Sequence, residues 1–182
     1  MLGLLWPKPK QRQSRKKTPR TRKVRLPKRF QRGGGIRLNV GAGIGLTVNF
    51  GTTLCNKNLN KEALSSNETV QTQPSVTWNP QDKPVTLMCW DTDAVGQPNT
   101  VYIHWLVNNI NQNDIIYGTE ILNWTPPNPP SGSAPIHNYY IGLFDKPVEN
   151  VVKRNSFDLQ AYINSNNLVL LDWCHFKVKS PT

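Results

Sequence analysis

Between Ile36 and Phe50 the chain alternates without a break. Ile36, Leu38, Val40, Ala42, Ile44, Leu46, Val48 and Phe50 take the even positions, and Arg37, Asn39, Gly41, Gly43, Gly45, Thr47 and Asn49 the odd ones. Successive side chains of a strand point to opposite faces, so this period of two predicts a long strand, or a hairpin folded near the glycines, apolar on one face and nearly bare on the other. Glycine weakens a strand interior, and three at alternate positions point to a bend or to another backbone coming close. A core strand and a strand shared between subunits both satisfy the pattern. Residues 51–75 are polar and rich in Asn, Ser and Thr, which reads as loop. From Ser75 onward short β-type runs recur at 76–78, 85–90, 101–110 and 139–144, parted by Pro and Gly clusters such as Pro126-Pro-Asn-Pro-Pro130. Short strands at this spacing predict a mostly β domain. One helix is expected, over 156–164, with Ser156 as its cap.

Charge changes this picture at the amino-terminal end. A chain of 182 residues fits one domain of ordinary size. Its formal charge of +11 is not spread over that domain. Residues 1–32 hold 13 of the 22 basic side chains and no acid: Lys8, Lys10, Arg12, Arg15, Lys16, Lys17, Arg20, Arg22, Lys23, Arg25, Lys28, Arg29 and Arg32. The first carboxylate is Glu62, and residues 33–182 carry 9 basic against 11 acidic groups. Such a block repels itself and has little to bury, so alone it is expected to be disordered and to order only against a polyanion or an acidic surface. Pro7, Pro9, Pro19 and Pro27 block a continuous helix and favour an extended path. Three units follow: a basic arm with a glycine hinge over 1–35, a Gly-rich strand segment and polar loop over 36–75, and a β domain over 76–182.

Cys55, Cys89 and Cys174 are odd in number and form no metal-finger spacing, which favours a reducing compartment. The apolar opening 1–6 precedes the basic run and so inverts the order of a secretory signal. No run approaches the roughly 18 apolar residues of a membrane span.

Candidate chemistry sits where polar residues punctuate the apolar runs: Asp91-Thr-Asp93 after Trp90, His104 within 101–107, and His137-Asn-Tyr139 opening the next run. A carboxylate and two imidazoles are the ligand types of a two-His-one-carboxylate metal site, but their spacing does not show that they converge, and no metal or cofactor is expected. No nucleophile with an adjacent base is legible. Ser131 and Ser133 lie near His137 in a Pro/Gly-rich turn without an oxyanion motif, so the chain is expected not to be an enzyme.

These runs resemble the phosphatidylethanolamine-binding protein family, in which a strand ending in a DPDxP-type loop precedes a His-bearing HxxLVxN strand, and a proline-rich segment leads into GxHRY. The matching stretches are Leu87-Met-Cys-Trp-Asp91-Thr-Asp93-Ala94, Ile103-His104-Trp-Leu-Val-Asn108 and Pro129-Pro-Ser-Gly-Ser-Ala-Pro-Ile-His137-Asn-Tyr139. The resemblance runs over 76–147 and implies a β-sandwich-like core. It also implies an anion pocket lined by Asp91, His104, His137 and Tyr139, with Pro130 on its rim, able to hold a phosphate or a lipid headgroup. Thr92 and Val95 stand where the family's loop has prolines, Asn138 where it has Arg, and the chain ends before the family's usual C-terminal helix.

The fold expected is thus mostly β, a sandwich of this family's kind preceded by an extended basic arm. A headgroup binder has no use for 13 uncompensated cations on a tether, whereas an assembly protein needs an element that its neighbours order. The function expected is that of a non-enzymatic structural protein of a large assembly, a minor capsid or virion component of a large DNA virus, located in the virion or host cytoplasm. Its partners would be other subunits, nucleic acid or an acidic protein surface through the arm, and a small anion in the pocket. Two alternatives are a large-subunit protein of the mitochondrial ribosome whose arm binds rRNA, and a soluble headgroup binder that modulates signalling partners.

Overall fold

The computed structural model of the chain describes residues 22–25, 36–51, 53–55, 64–65, 70–94, 99–132, 136–149 and 153–180. Lys8, Lys10, Arg12, Arg15, Lys16, Lys17, Arg20, Lys28, Arg29 and Arg32 of the arm, the hinge at 33–35, Ser133 and Val95 lie outside the described residues.

Twelve strands and one α-helix are described, with a single 3-10 turn at Ile115–Tyr117: β1 (Arg22–Arg25), β2 (Arg37–Val40), β3 (Thr47–Phe50), β4 (Thr53–Cys55), β5 (Leu64–Ser65), β6 (Ser75–Thr77), β7 (Val85–Asp91), β8 (Thr100–Ile110), β9 (Thr119–Leu122), β10 (Ile136–Phe144), β11 (Phe157–Asp158), α1 (Leu159–Asn166) and β12 (Leu170–Lys179). They form two sheets. The larger runs β1-β2-β12-β10-β7-β8-β11, with β5 added to β12 and β9 to β8, and the smaller runs β4-β3-β6. Every residue of β7 is buried, as expected of a central strand covered on both faces. On one face Leu87, Cys89, Trp105, Ile141 and Phe176 pack against Val48, Phe50 and Val76 of the smaller sheet. On the other, Met88, Trp90, Ile103, Tyr140 and Phe144 pack against Leu38 and Val40 of β2 and against Leu159 and Ile163 of α1.

The alternating run 36–50 is neither one strand nor a hairpin. It is a corner. β2 pairs with β12 through Leu170↔Val40, whereas β3 belongs to the smaller sheet, so the even positions feed both cores. Residues 36–50 are therefore part of the sandwich and not a segment beside it. The glycines turn the chain between layers: Gly41 donates its N–H to Leu170 O at 2.8 Å, and Gly43 and Gly45 take φ of 90° and 72°, a region that side-chain-bearing residues avoid. Asp172 holds the corner, its Oδ2 accepting from Ile44 N at 2.9 Å and from Leu46 N at 3.1 Å.

Other expectations need correcting. Within 51–75, read as loop, β4, β5 and the start of β6 are strands, short enough to be pinned by their sheets more than by local propensity. The helix begins later than expected and is capped by Asp158, whose Oδ1 accepts from Ala161 N at 2.8 Å, while Ser156 sits outside it at φ 53°. One stretch of the arm is a strand: Arg22–Arg25 pairs antiparallel with β2, from Arg22↔Val40 to Arg25↔Arg37. The three cysteines are free and buried. Among the described residues no helix is long and apolar enough to cross a membrane.

Candidate anion-binding pocket

Register explains why the pocket forms at one end of the inter-sheet core. Asp91, the last residue of β7, lies opposite Tyr139 of β10, and His137 is two residues from Tyr139 and so on the same face. On the other side of β7 a bulge does the work. Cys89 pairs with Trp105 but Trp90 pairs with Ile103, which leaves His104 as the extra residue of β8. A bulge inverts which face a strand's later residues occupy and re-aims side chains. Trp105 and Val107 accordingly belong to the inter-sheet core and Ile103 and Val101 to the helix-side core, with Tyr102 and His104 turned to the pocket. The proline-rich segment after β9 supplies Thr125, Pro126, Asn128 and Pro130 as the opposite wall. All five residues expected on the sequence, Asp91, His104, Pro130, His137 and Tyr139, line this one cavity of about 400 Å³.

Asp91 organises the floor. Its Oδ1 accepts from the backbone N–H of Asp93 at 2.7 Å and of Ala94 at 3.1 Å, and its Oδ2 meets His137 Nδ1 at 2.8 Å. That hydrogen bond holds the His137 imidazolium to a higher pH than a free histidine, against the burial that opposes it. His104 is tuned the other way. Burial lowers its basicity, as do the charges of Arg154 and His137, while the Thr125 carbonyl and Asp91 push back. His104 Nδ1 lies 2.6 Å from Thr125 O, and Thr125 N donates to His104 O at 2.8 Å. The Tyr139 ring stacks on Phe176 at 5.3 Å and meets His104 edge-on at 5.2 Å, and burial beside Asp91 keeps its phenol protonated far above neutral pH. Chemically this is a recess lined by an imidazole that Asp91 makes more basic, an imidazole that burial makes less basic, a phenol and two carboxylates.

Asn138, where the resembled family carries Arg, points elsewhere. Its backbone N–H and side-chain amide both donate to Asp93 Oδ2, at 2.7 and 2.8 Å, and its Oδ1 lies 3.0 Å from His175 Nε2. Burial, with Lys177 adding to it, lowers His175 to about 4. Among the described residues no Ser or Cys is hydrogen-bonded to either pocket imidazole, and no three of His, Cys, Asp or Glu are placed to share a metal ion.

Three contributors escaped the sequence reading. Tyr102 was legible in principle, standing two residues before His104 in one strand. Thr125 carries no signal, because its carbonyl and not its side chain does the bonding. Arg154 sits in a polar run with nothing to mark it, yet its Nη1 donates to Ile103 O and His104 O, each at 3.2 Å, and its Nη2 to Asn123 O at 2.8 Å and to Asn123 Oδ1.

The sequence profile of the family described as phosphatidylethanolamine-binding protein matches residues 51–173. Among solved structures the chain is similar to the carboxypeptidase Y inhibitor seen complexed with the cognate proteinase, at 16% identity over 80% of this chain and 86% of that one, with a TM-score of 0.63. It is similar as well to the phosphatidylethanolamine-binding protein from Plasmodium vivax, at 16% identity over 79% and 88% of the two chains and a TM-score of 0.61. The corresponding protein from Plasmodium falciparum aligns at 19% identity over 82% and 90%, with a TM-score of 0.55. No curated protein matches significantly by sequence.

Proposed function

The chain belongs to the phosphatidylethanolamine-binding protein family, and from that premise we propose that it is a non-enzymatic binding protein whose pocket holds a small phosphate-bearing ligand. One observation carries this reading: the His137 imidazole fixed by Asp91 lines the same recess as His104 and the phenol of Tyr139, and an oxyanion is the ligand such polar groups satisfy. The test is a titration of the full chain with inorganic phosphate and with phosphorylethanolamine, followed by NMR. The ring resonances of His104 and His137 are expected to move together, and Asp91→Ala or Tyr139→Phe to weaken binding about tenfold or more. No shift at millimolar ligand would retire the pocket.

A second reading concerns the arm. It makes the protein a structural member of a large assembly, as in a virion or a ribosome, tethered through the arm to nucleic acid or to an acidic neighbour. It is favoured by the 13 cations and absent acids of residues 1–32, and by β1, which fastens the arm's base to the sheet edge. Nucleic-acid affinity of the full chain should then fall with salt at a log–log slope of about −0.9 per duplex phosphate contacted. A chain beginning at Thr21 keeps β1 and loses most of the arm. Equal salt-dependent binding and equal incorporation of both chains would refute this reading.

A further inference from the structure

The two pocket histidines are bonded in chemically different ways, and the difference bears on which oxyanion can bind. A backbone carbonyl has no proton to give, so the 2.6 Å contact between His104 Nδ1 and Thr125 O requires Nδ1 to be the donor. The ring is held there from both ends, because Thr125 N returns a hydrogen bond to His104 O. A neutral His104 is therefore the Nδ1–H tautomer, with a lone pair on Nε2. No described residue bonds that atom, and the ring lines the cavity.

Protonating Nε2 is opposed on several sides. The ring is buried, and the guanidinium of Arg154 is fixed behind it, donating to the carbonyls of His104 and Ile103 and held by Asn123. The titratable groups lining the same recess are Asp91 of β7, Asp93 just after it, His137 and Tyr139 of β10, and Tyr102 of its own strand. Of these the acids are Asp91, whose oxygens already take His137, Tyr139 and two backbone amides, and Asp93, whose Oδ2 takes both amides of Asn138.

We infer that His104 is the specificity-determining residue of the pocket: it presents a hydrogen-bond acceptor, so the oxyanion that binds must carry its own proton, which makes the ligand a protonated phosphate and excludes sulfate. Arg154 is the positioning residue that maintains this state. The inference rests on the pocket reading above and adds the ligand's protonation to it. A phosphate with one P–OH accepts from His137 and donates to His104 Nε2, beside the Tyr139 phenol that Asp91 holds. Sulfate has the same shape and no proton at neutral pH, so it sets lone pair against lone pair. Phosphomonoesters lose their last proton near pH 6, so phosphorylethanolamine is held less well at pH 8 than at pH 5.5, whereas inorganic phosphate keeps a proton at both.

The experiment uses the full chain at pH 7.5, titrated calorimetrically with inorganic phosphate, sulfate and phosphorylethanolamine, with long-range proton–nitrogen NMR to read the tautomer of His104. The expected result is phosphate binding on the order of ten- to a hundredfold more tightly than sulfate, the scale of one unmade buried hydrogen bond, with His104 as the Nδ1–H tautomer. Arg154→Gln is expected to raise the midpoint of His104 titration and shrink the phosphate-to-sulfate ratio several-fold, and Arg154→Lys to preserve both. Equal affinity for the two anions, or an Nε2–H tautomer, overturns the inference while leaving the pocket reading in place. Failure of every anion to bind overturns the pocket reading and the inference with it. Should Arg154→Gln not fold, the tautomer and anion ratio of the unaltered chain still decide.

Discussion

Asp91 and Asp172 invite comparison because they begin alike. Both are carboxylates of the larger sheet, on the two strands that flank β10, exposed by only 1% and 3%. Each offers one oxygen to a pair of backbone amides: Asp91 Oδ1 to Asp93 and Ala94, Asp172 Oδ2 to Ile44 and Leu46. They differ in the other oxygen. Asp172 Oδ1 accepts from its neighbour Trp173 N at 2.8 Å, whereas Asp91 Oδ2 meets an imidazole that lines a cavity. The lesson is that burial and amide bonding make a carboxylate a structural clamp, and a titratable partner facing open space makes it part of a site.

The largest effect that separates the two is on stability. Asp172→Ala leaves two buried amides of the glycine corner without an acceptor and should cost about 3 kcal/mol in chemical denaturation, with the anion-pocket histidines titrating as before. A loss under about 1 kcal/mol would mean that the corner is held by packing alone.

Next comes Asp91→Asn, whose stability cost should be smaller, about 1–2 kcal/mol, because the loop amides keep an oxygen to bond. Its signature lies elsewhere. The His137 midpoint should fall toward the ordinary 6.5 and anion affinity should drop, both readable by NMR titration. An unmoved His137 midpoint would dissolve the distinction between the two aspartates.

The smallest effect is the pH dependence of folding, where the histidines carry opposite signs. His137, raised in the folded chain, contributes stability that is complete below about 6.5 and is lost as pH rises through its folded midpoint. His175, lowered to about 4, binds its proton more readily when unfolded, so stability should decline as pH falls from about 6.5 to about 4. Thermal melts over this range should show the acid-side decline shrinking in His175→Gln and the alkaline-side decline shrinking in Asp91→Asn. A decline unaltered in both variants would assign it to other groups.

How much of this was legible depends on what each residue does. Asp91, His104, His137 and Tyr139 stand out as polar interruptions of apolar runs, and the likeness to a known pattern named them. The β7 and β10 strands were visible because their apolar residues are contiguous. β12 was not, since its inward positions Leu170, Asp172, Cys174, Phe176 and Val178 alternate properly only if a carboxylate is counted among the buried residues. The bulge at His104 was invisible for a related reason: local periodicity cannot show where a partner strand skips a residue. The run 36–50 announced a bend through its glycines but not that its two halves join different sheets, because that depends on β12, about 130 residues away. Arg154 and Thr125 act through carbonyls, which every residue has.

The position of β12 bears on how the chain is made. The last of the described strands, β12, lies between β2 and β10, inside the larger sheet, and it carries the Asp172 clamp. A ribosome that has just delivered β10 has therefore exposed β7, β8 and the pocket residues, while β2 and one edge of β10 still wait for their neighbour. Such long-range pairing is slow to form and leaves strand edges open meanwhile. Completion of the fold is therefore expected only once β12 has left the ribosome, and a chain arrested before Leu170 should remain a substrate for chaperones even though every residue of the pocket is already present.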